Sequence, residues 1–110
     1  MTTYKITGIE VYDDLSVNLE VSTYHGSKHS ETFELKDEDE KFFFLQMIEA
    51  VYDHTAGLEK LDGDLVGKYF NAEIDYGNLV EFEKATEEDI QHYEEERQKE
   101  INYKLMLHNE

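Results

Sequence analysis

The alternation of apolar and polar residues along the chain predicts five β-strands. It is clearest in the stretch 15–22, where every second residue is leucine or valine, as in a strand with one buried face. The first strand changes phase at Gly8, and a glycine at such a slip predicts a bulge or a sharp bend. In the last strand we expect Val80 and Phe82 to face the core, after a tight turn at Gly77-Asn78. The five predicted strands are 4–12, 15–22, 30–35, 70–76 and 79–83.

A helix is predicted between the third and the fourth strand. Asp37 has the position of an N-cap residue, and Glu40, three residues later, that of its capping-box partner. The acidic residues around them lie in the first turn, where the positive end of the helix dipole favours carboxylates. Gly57 is expected to end the helix as a left-handed cap residue. The apolar positions follow the spacing of one helical face: Phe44, Met47, Ile48, Val51 and Tyr52.

A second helix is predicted at the C-terminal end, from Thr86 to about Leu107. Thr86 is its expected N-cap residue, with Asp89 as the capping-box partner. The apolar stripe of this helix is thin, and Arg97 interrupts it. The stripe consists of Ile90, Tyr93, Ile101 and Leu105.

The order of these elements predicts an α+β fold of three strands, a helix, two strands and an added C-terminal helix. The first six elements have the order of the OB-fold, a five-stranded Greek-key barrel, and a bend at Gly8 would let the first strand serve both halves of it. An open sheet covered by one helix gives the same order, so we expect an OB-like β-β-β-α-β-β barrel or sheet. Residues 1–85 would form this core as one domain, and residues 86–110 an acidic helix that packs on the core or extends from it.

The net charge is the unusual feature of the composition. The 110 residues include 27 Asp and Glu against 10 Lys and Arg, which gives −17, whereas a magnitude of about 2–8 is typical of a small domain. Because binding to the phosphate backbone depends on Lys and Arg, we expect no direct binding to duplex DNA. The electrostatic expectation is a basic partner, either a protein with a basic cleft or a metal ion. The alternative is that the charge only aids solubility.

The sequence contains no cysteine and no apolar run as long as a signal peptide or a membrane helix. The lack of cysteine fits a reducing compartment. We therefore expect a soluble, cytoplasmic protein that does not associate with a membrane.

Two short segments in the second half of the chain carry a resemblance to a family. Asp64-Leu65-Val66-Gly67-Lys68 leads into the fourth strand, and Asn78-Leu79-Val80-Glu81-Phe82 forms the fifth. With the strands before them, over about residues 15–83, they resemble small phage-encoded OB-like proteins of the single-stranded-DNA-binding type. The resemblance implies a role near phage replication or recombination, in the cytoplasm of the host cell. The acidic outer face departs from it, because a platform for single-stranded DNA needs cations and exposed aromatic rings.

The sequence shows no motif for catalysis, for metal binding or for a cofactor. His25 and His29 flank a predicted hairpin turn and could approach each other, but without cysteine or an HxxxH pattern we expect solvated loop histidines. Asp62-Gly63-Asp64 lacks the downstream glutamate of a calcium loop and is interpreted as a turn. Since phosphate-binding glycine loops and nucleophile motifs are also lacking, we expect a non-enzymatic protein with no cofactor.

The carboxylates form clusters on the predicted elements: the start of the first helix, the outward row of the last two strands, and the second helix. Side chains at alternate strand positions are about 7 Å apart, close to the phosphate spacing along one DNA strand. Rows of this kind can occupy a basic groove built for nucleic acid. The predicted partner-binding residues are Glu73, Asp75, Glu81, Glu83, Glu94, Glu95 and Glu96.

The leading hypothesis is an acidic inhibitor that binds the basic nucleic-acid channel of a nuclease or another DNA-handling protein by charge mimicry. With the phage resemblance, this suggests an anti-CRISPR or anti-restriction role. The first alternative is an accessory single-strand-binding-like module in phage replication or recombination. Its local basic and aromatic patch would consist of Lys28, Lys41, Lys68 and Tyr69. The second alternative is a structural or oligomeric subunit that pairs through the apolar stripe of the C-terminal helix.

Overall fold

Five strands form one antiparallel sheet in the computed structural model, which describes residues 1–52 and 65–108. The predicted helix end at Gly57, the turn at Asp62-Gly63-Asp64 and His54 lie outside the described residues. The elements are β1 (Thr2–Val11), β2 (Ser16–Ser22), β3 (Lys28–Glu34), α1 (Glu38–Tyr52), β4 (Tyr69–Asp75), β5 (Asn78–Glu83) and α2 (Glu87–His108).

Strand β1 lies at the centre of the sheet, whose order is β3-β2-β1-β4-β5. Its first part, Thr2–Lys5, pairs with β4, and its second part, Lys5–Val11, pairs with β2. The register with β2 shifts between Ile6 and Gly8, so that β1 has one extra residue there. The predicted bulge is therefore confirmed, and it lies where the strand passes from one half of the sheet to the other.

The sheet is open, and the prediction of a closed barrel is wrong. Strands β3 and β5 are its two edges, and within the described residues no ladder pairs them. The carboxylate of Glu31 on β3 reaches across and accepts the N–H of Leu79 on β5 at 3.2 Å. A side-chain oxygen thus takes the place that a main-chain carbonyl would have in a closed sheet. The α+β class and the alternative of an open sheet are confirmed.

Helix α1 covers one face of the sheet with the apolar side predicted for it. Phe44, Met47 and Ile48 are fully buried, and Val51 and Tyr52 pack partly against the core. The helix contacts β3, β4 and β5. Burial of a large apolar side chain contributes about 1.5–3 kcal/mol, so this layer is the main source of stability. The sheet contributes Tyr4, Ile6, Val17, Leu19, Val21, Phe33, Phe70, Ala72 and Leu79 to it.

Strand β5 turns different side chains toward the core from those predicted. Leu79 is 2% exposed and belongs to the core. Val80 pairs with Glu73 and lies on the same side of the sheet as that carboxylate, so the prediction that Val80 faces inward is wrong. Phe82 packs partly against the core, as predicted.

A second bulge explains this change of face. Asn71 pairs with Glu83 and Glu73 with Val80, so β5 contains one more residue than β4 over the same interval. Glu81 lies at this point with a φ of 53°. A bulge shifts the alternation of side chains by one residue, and the core positions of β5 are therefore three residues apart.

The two helices begin as predicted, with one difference. The hydroxyl of Thr86 accepts the N–H of Asp89 at 3.1 Å, and the Asp89 carboxylate accepts the N–H of Thr86 at 3.0 Å, which completes a capping box. Asp37 caps α1 by accepting the N–H of Glu40 at 3.2 Å. The Glu40 carboxylate does not return this contact as predicted, because it accepts the N–H of Glu34 at the end of β3, at 3.1 Å.

Helix α2 packs on the other face of the sheet with its first half only. Tyr93 is 2% exposed, and its hydroxyl donates to the carbonyl of Ser22 at 3.0 Å. Arg97 donates to the carbonyl of Tyr24 at 3.3 Å. Beyond Ile101 the side chains become exposed, and the molecule extends 52 Å along its long axis against 28 and 27 Å along the others. As far as the described residues reach, neither helix has the length and apolar character needed to cross a membrane.

Candidate protein-binding surface

Strand β4 places two of the predicted contact residues on the face of the sheet that carries α2. Glu73 and Asp75 alternate along β4, and both are exposed. Asn71, two residues earlier on that face, donates an amide hydrogen bond to Asp89 of α2 at 2.9 Å. Glu83 of β5 pairs with Asn71 and therefore lies on the same face. The hairpin thus brings its carboxylates together beside the start of α2.

The N-terminal ammonium group lies against this row. Its nitrogen on Met1 is 3.0 Å from Glu73 Oε1. The hydrogen bond to Glu73 and the charge of that carboxylate raise the pKa of the ammonium group above its ordinary value of 8.0, and Glu83 and Glu81 add to the effect. Within residues 1–52 and 65–108, the row of Glu73, Asp75, Glu81 and Glu83 makes no other salt bridge.

Glu94 attaches α2 to the sheet. Its carboxylate is 3.2 Å from Lys5 Nζ and accepts the hydroxyl of Tyr69. The two partners are 89 and 25 residues away in the sequence, and no local pattern marks them. Glu94 is therefore a docking contact within the protein as well as a surface charge.

The other predicted contact residues of α2 are surface charges of the helix. Glu95 accepts a hydrogen bond from a glutamine one turn earlier at 3.0 Å, and Glu96 is 3.2 Å from the ammonium of Lys99. Such exposed pairs contribute less than about 1 kcal/mol. In the first turn, Glu87 and Glu88 are exposed. Asp89 of the same turn binds Asn71, which pairs with Glu83, so the start of α2 adds its carboxylates to this end of the sheet.

A cleft of about 320 Å³ between the open edges of β3 and β5 connects this row with the start of α1. Three carboxylates line it, those of Glu31, Glu40 and Asp75. Asp75 belongs to the β4–β5 row and Glu40 to the first turn of α1, so two of the three predicted acidic clusters meet here. We call the connected set the acidic band. It consists of Glu31, Glu40, Glu73, Asp75, Glu81, Glu83, Glu87 and Glu88.

Glu31 is a candidate functional residue that was not predicted from the sequence. Its side chain is 12% exposed. Burial raises the pKa of its carboxyl group above the ordinary value of 4.5, and the N–H of Leu79 and the nearby His29 oppose this effect. His29 Nε2 is 3.8 Å away, too far for a hydrogen bond, and is buried without a hydrogen-bond partner. A signal was available, because Glu31 shares the inward strand positions with Phe33.

Within the predicted basic patch, Lys28 and Tyr69 both lie near Lys5, whereas Lys68 Nζ is 5.8 Å from the centre of the Tyr52 ring. The ring of Tyr69 packs edge-on against Tyr93 of α2, with centroids 5.3 Å apart. Lys28 borders a groove with Lys5 and Arg97, which Tyr93 also lines. These three cations all have acceptors: Lys28 is 3.6 Å from Glu20, Lys5 binds Glu94, and Arg97 binds a carbonyl. Two of the three cations are therefore paired with carboxylates of the protein itself, and the third donates to a carbonyl group.

The two histidines expected to approach each other have different partners. His25 Nδ1 is 3.2 Å from Glu100 Oε1, and its ring lies 4.0 Å from that of Tyr24. His29 faces Glu31. In the part of the chain that the structure describes, no group of three or more His, Asp or Glu side chains is arranged to hold a metal ion.

Comparison of the chain with protein-family models, with curated proteins and with solved structures finds no match. The function of the acidic band is therefore inferred from its own geometry and charge.

Proposed function

We propose that this protein is a non-enzymatic binding module that occupies the basic nucleic-acid channel of a nuclease or another DNA-handling protein and thereby inhibits it. The observation that supports the proposal is the acidic band. Its carboxylates are carried by strands and by the first turns of helices, and its β4–β5 row has one salt bridge within the described residues, to the N-terminal ammonium group. Most of its charge is left for a partner.

Ordered carboxylates suit a basic channel for two physical reasons. Alternate strand positions are about 7 Å apart, close to the phosphate spacing of a nucleic-acid strand, although the bulge at Glu81 makes the row on β5 less regular. Carboxylates on the ordered backbone of two strands also lose less conformational entropy on binding than a flexible acidic tail would. The net charge of −17 would in addition attract a basic partner over long range and speed association.

The phage resemblance suggests the class of target, a CRISPR or restriction nuclease in the cytoplasm of the host cell. The strand order, with α1 following β3, agrees with an OB-type scaffold that is open between its third and fifth strands. On this proposal, the scaffold presents carboxylates on β4 and β5, beside the β4–β5 loop that OB modules use to bind nucleic acid.

The test is capture of the partner by the immobilised protein from a nuclease-treated lysate, followed by elution with salt and competition with DNA. We expect a basic nucleic-acid-binding protein that DNA displaces. The variant Glu73→Lys, Asp75→Lys, Glu81→Lys and Glu83→Lys should no longer retain it. Retention by this variant at wild-type level would reject the β4–β5 row as the contact surface.

A matched control separates the position of the charges from their number. Reversal of four other exposed acids to lysine changes the net charge by the same eight units and should leave capture largely intact. The control positions are Glu10, Asp13, Glu38 and Glu49. Direct binding of labelled single-stranded DNA at low salt would instead favour the accessory-module alternative.

One observation favours a second function, that of an oligomeric subunit. The end of α2 exposes 56% of Leu105, 68% of Met106 and 56% of Leu107, and a helix end that is apolar on several sides is typical of a pairing surface. Replacing these three residues by serine in the full chain should abolish any self-association seen by sedimentation velocity. A monomeric wild-type protein at high concentration would reject this function.

A further inference from the structure

Each open edge of the sheet donates a main-chain N–H to a carboxylate at the cleft. On β5 the N–H of Leu79 binds Glu31 at 3.2 Å, and on β3 the N–H of Glu34 binds Glu40 at 3.1 Å. In a continuous sheet, carbonyl groups of a neighbouring strand would accept both. A main-chain segment could therefore replace the carboxylates as acceptor, and unpaired edges of this kind bind extended peptides in many proteins.

Tyr76 lies beside this edge and has an unfavourable backbone conformation. It is the first central residue of a type I′ turn, with φ of 50° at Tyr76 and 82° at Gly77. The left-handed region is unfavourable for a residue with a Cβ atom, and the side chain is 96% exposed, so the ring gains nothing from burial. Strain retained at an exposed aromatic residue that lines a cleft is typical of a binding surface.

The walls of the cleft match one kind of side chain. Phe43, which is 38% exposed, and Val80 are its lining residues from α1 and β5 with apolar side chains accessible to solvent. The carboxylates of Glu31, Glu40 and Asp75 complete the wall, and none of the described lining residues is Lys, Arg or His. An arginine side chain has an apolar stem and a planar guanidinium group, which binds carboxylates in a forked geometry and stacks on aromatic rings.

We propose that the cleft binds an extended, arginine-bearing segment of a protein partner, which adds as a strand to the open edge of β5. A carbonyl of the segment accepts the N–H of Leu79, and the released Glu31 carboxylate binds a guanidinium group. The exchange leaves no main-chain donor unsatisfied. This inference rests on the proposed function, because it takes the partner to be basic, and adds to it a site where main-chain pairing supplies directional contacts.

The probe is a capped hexapeptide that alternates arginine and valine, added to the ¹⁵N-labelled full chain and followed by amide chemical shifts. We expect saturable shifts at Glu31 and at 78–80. Two versions of this peptide, N-methylated on the arginine amides or on the valine amides, are blocked on opposite edges of the strand. The version whose methyl groups face β5 should not saturate the site, whereas the other should still bind. A glutamate–valine peptide should not bind.

Two variants test the side-chain contacts without endangering the fold. Tyr76→Asn relieves the strained turn, because asparagine tolerates a positive φ, and Glu31→Gln keeps an acceptor for Leu79. Each should weaken peptide binding about tenfold or more, as loss of an enclosed charged or aromatic contact does. The matched controls Tyr103→Asn and Glu49→Gln change an exposed tyrosine and an exposed glutamate elsewhere and should leave affinity within about twofold.

The outcomes separate this inference from the proposed function. Chemical-shift changes confined to Glu73, Glu81 and Glu83, and unchanged by Tyr76→Asn and Glu31→Gln, would overturn the cleft as a binding site. They would remain compatible with electrostatic binding by the β4–β5 row. No saturable shift anywhere would overturn it as well, while the capture experiment judges the inhibitor proposal independently. If the peptide binds saturably at the cleft and charge reversal of the β4–β5 row leaves capture unaffected, the cleft stands as a binding site and the row is rejected as the contact surface.

Discussion

Glu31 lies at an inward position of an edge strand, where burial of an apolar side chain would avoid the free-energy cost of desolvating a carboxylate. Its carboxylate is 12% exposed and accepts the N–H of Leu79 from the opposite edge. An inward-pointing charge at an open edge also hinders pairing with other chains. At the scale of the residue, Glu31 thus accepts the N–H of Leu79, while the burial of its charge costs free energy.

Glu31→Gln should increase the free energy of unfolding at about pH 7, by less than about 1 kcal/mol. Because burial raises the folded-state pKa of this carboxyl group above 4.5, its contribution to stability is complete below 4.5 and is lost as pH rises through the folded-state pKa. Glutamine has no charge to desolvate and keeps an acceptor for Leu79. Urea unfolding at about pH 7 and at about pH 4 measures the difference, which should shrink at the lower pH.

The control for this experiment is Glu49→Gln, which removes one charge from an exposed position on α1. It reports the general benefit of lowering the net charge. Equal effects of the two variants at both pH values would show that the burial of Glu31 has no influence on stability.

At the scale of the element, two bulges decide which side chains reach the core. The bulge in β1 lies between Ile6 and Gly8, and the one in β5 lies at Glu81. The two bulges differ in backbone conformation. Gly8 has no left-handed φ, and a Cβ added there would meet Glu20 at an ordinary 3.6 Å, whereas Glu81 has a φ of 53°. The first bulge therefore does not depend on glycine, although glycine is what marks it in the sequence.

Gly8→Ala should leave the free energy of unfolding unchanged or raise it by up to about 1 kcal/mol, because alanine reduces the entropy of the unfolded chain. Gly77→Ala should lower the free energy of unfolding by about 1–2 kcal/mol, since Gly77 has a φ of 82°. A Cβ atom added there would meet no other atom within 4 Å, so the loss would report the backbone conformation alone. Urea unfolding of the two variants measures both values. A marked loss for Gly8→Ala would mean that the bulge needs a conformation restricted to glycine.

At the scale of the whole molecule, like charge opposes the compact state. The net charge is −17, and the acidic band concentrates part of it around one end of the sheet. Salt at physiological concentration screens charges beyond about 8 Å. The stability of the folded chain should therefore depend on ionic strength more than that of a nearly neutral domain.

Raising sodium chloride from about 0.02 M to about 0.5 M should increase the melting temperature by several degrees, since about 1 kcal/mol corresponds to roughly 4–8 °C for a small domain. Circular dichroism during heating measures the shift. The variant with Lys at 73, 75, 81 and 83 provides the comparison. Its net charge is −9 instead of −17, so its shift in melting temperature should be smaller. A shift that is equally large in both proteins would point to a general salt effect rather than to screening.

Local patterns predicted the elements and the exposed carboxylates of β4. The alternation in 15–22 marks β2 because one face of that strand is buried at every second residue, and Thr86 with Asp89 marks the start of α2 because a capping box is a local structure. Glu73 and Asp75 were predicted to be exposed from strand alternation alone. The contact of Glu94 with the sheet was not predicted, because its partners are distant in the sequence.

The sequence by itself determined the α+β class, the order of strands and helices, the bulge in β1 and the excess of negative charge, because these depend on residues that are near one another along the chain. Only the tertiary structure decided that the sheet stays open, that Leu79 rather than Val80 faces the core, and that separate acidic clusters meet at one cleft. These features depend on strand register and on contacts such as that of Glu31 with Leu79, 48 residues away. Periodicity along the chain places a residue on a face, and long-range packing decides what that face meets.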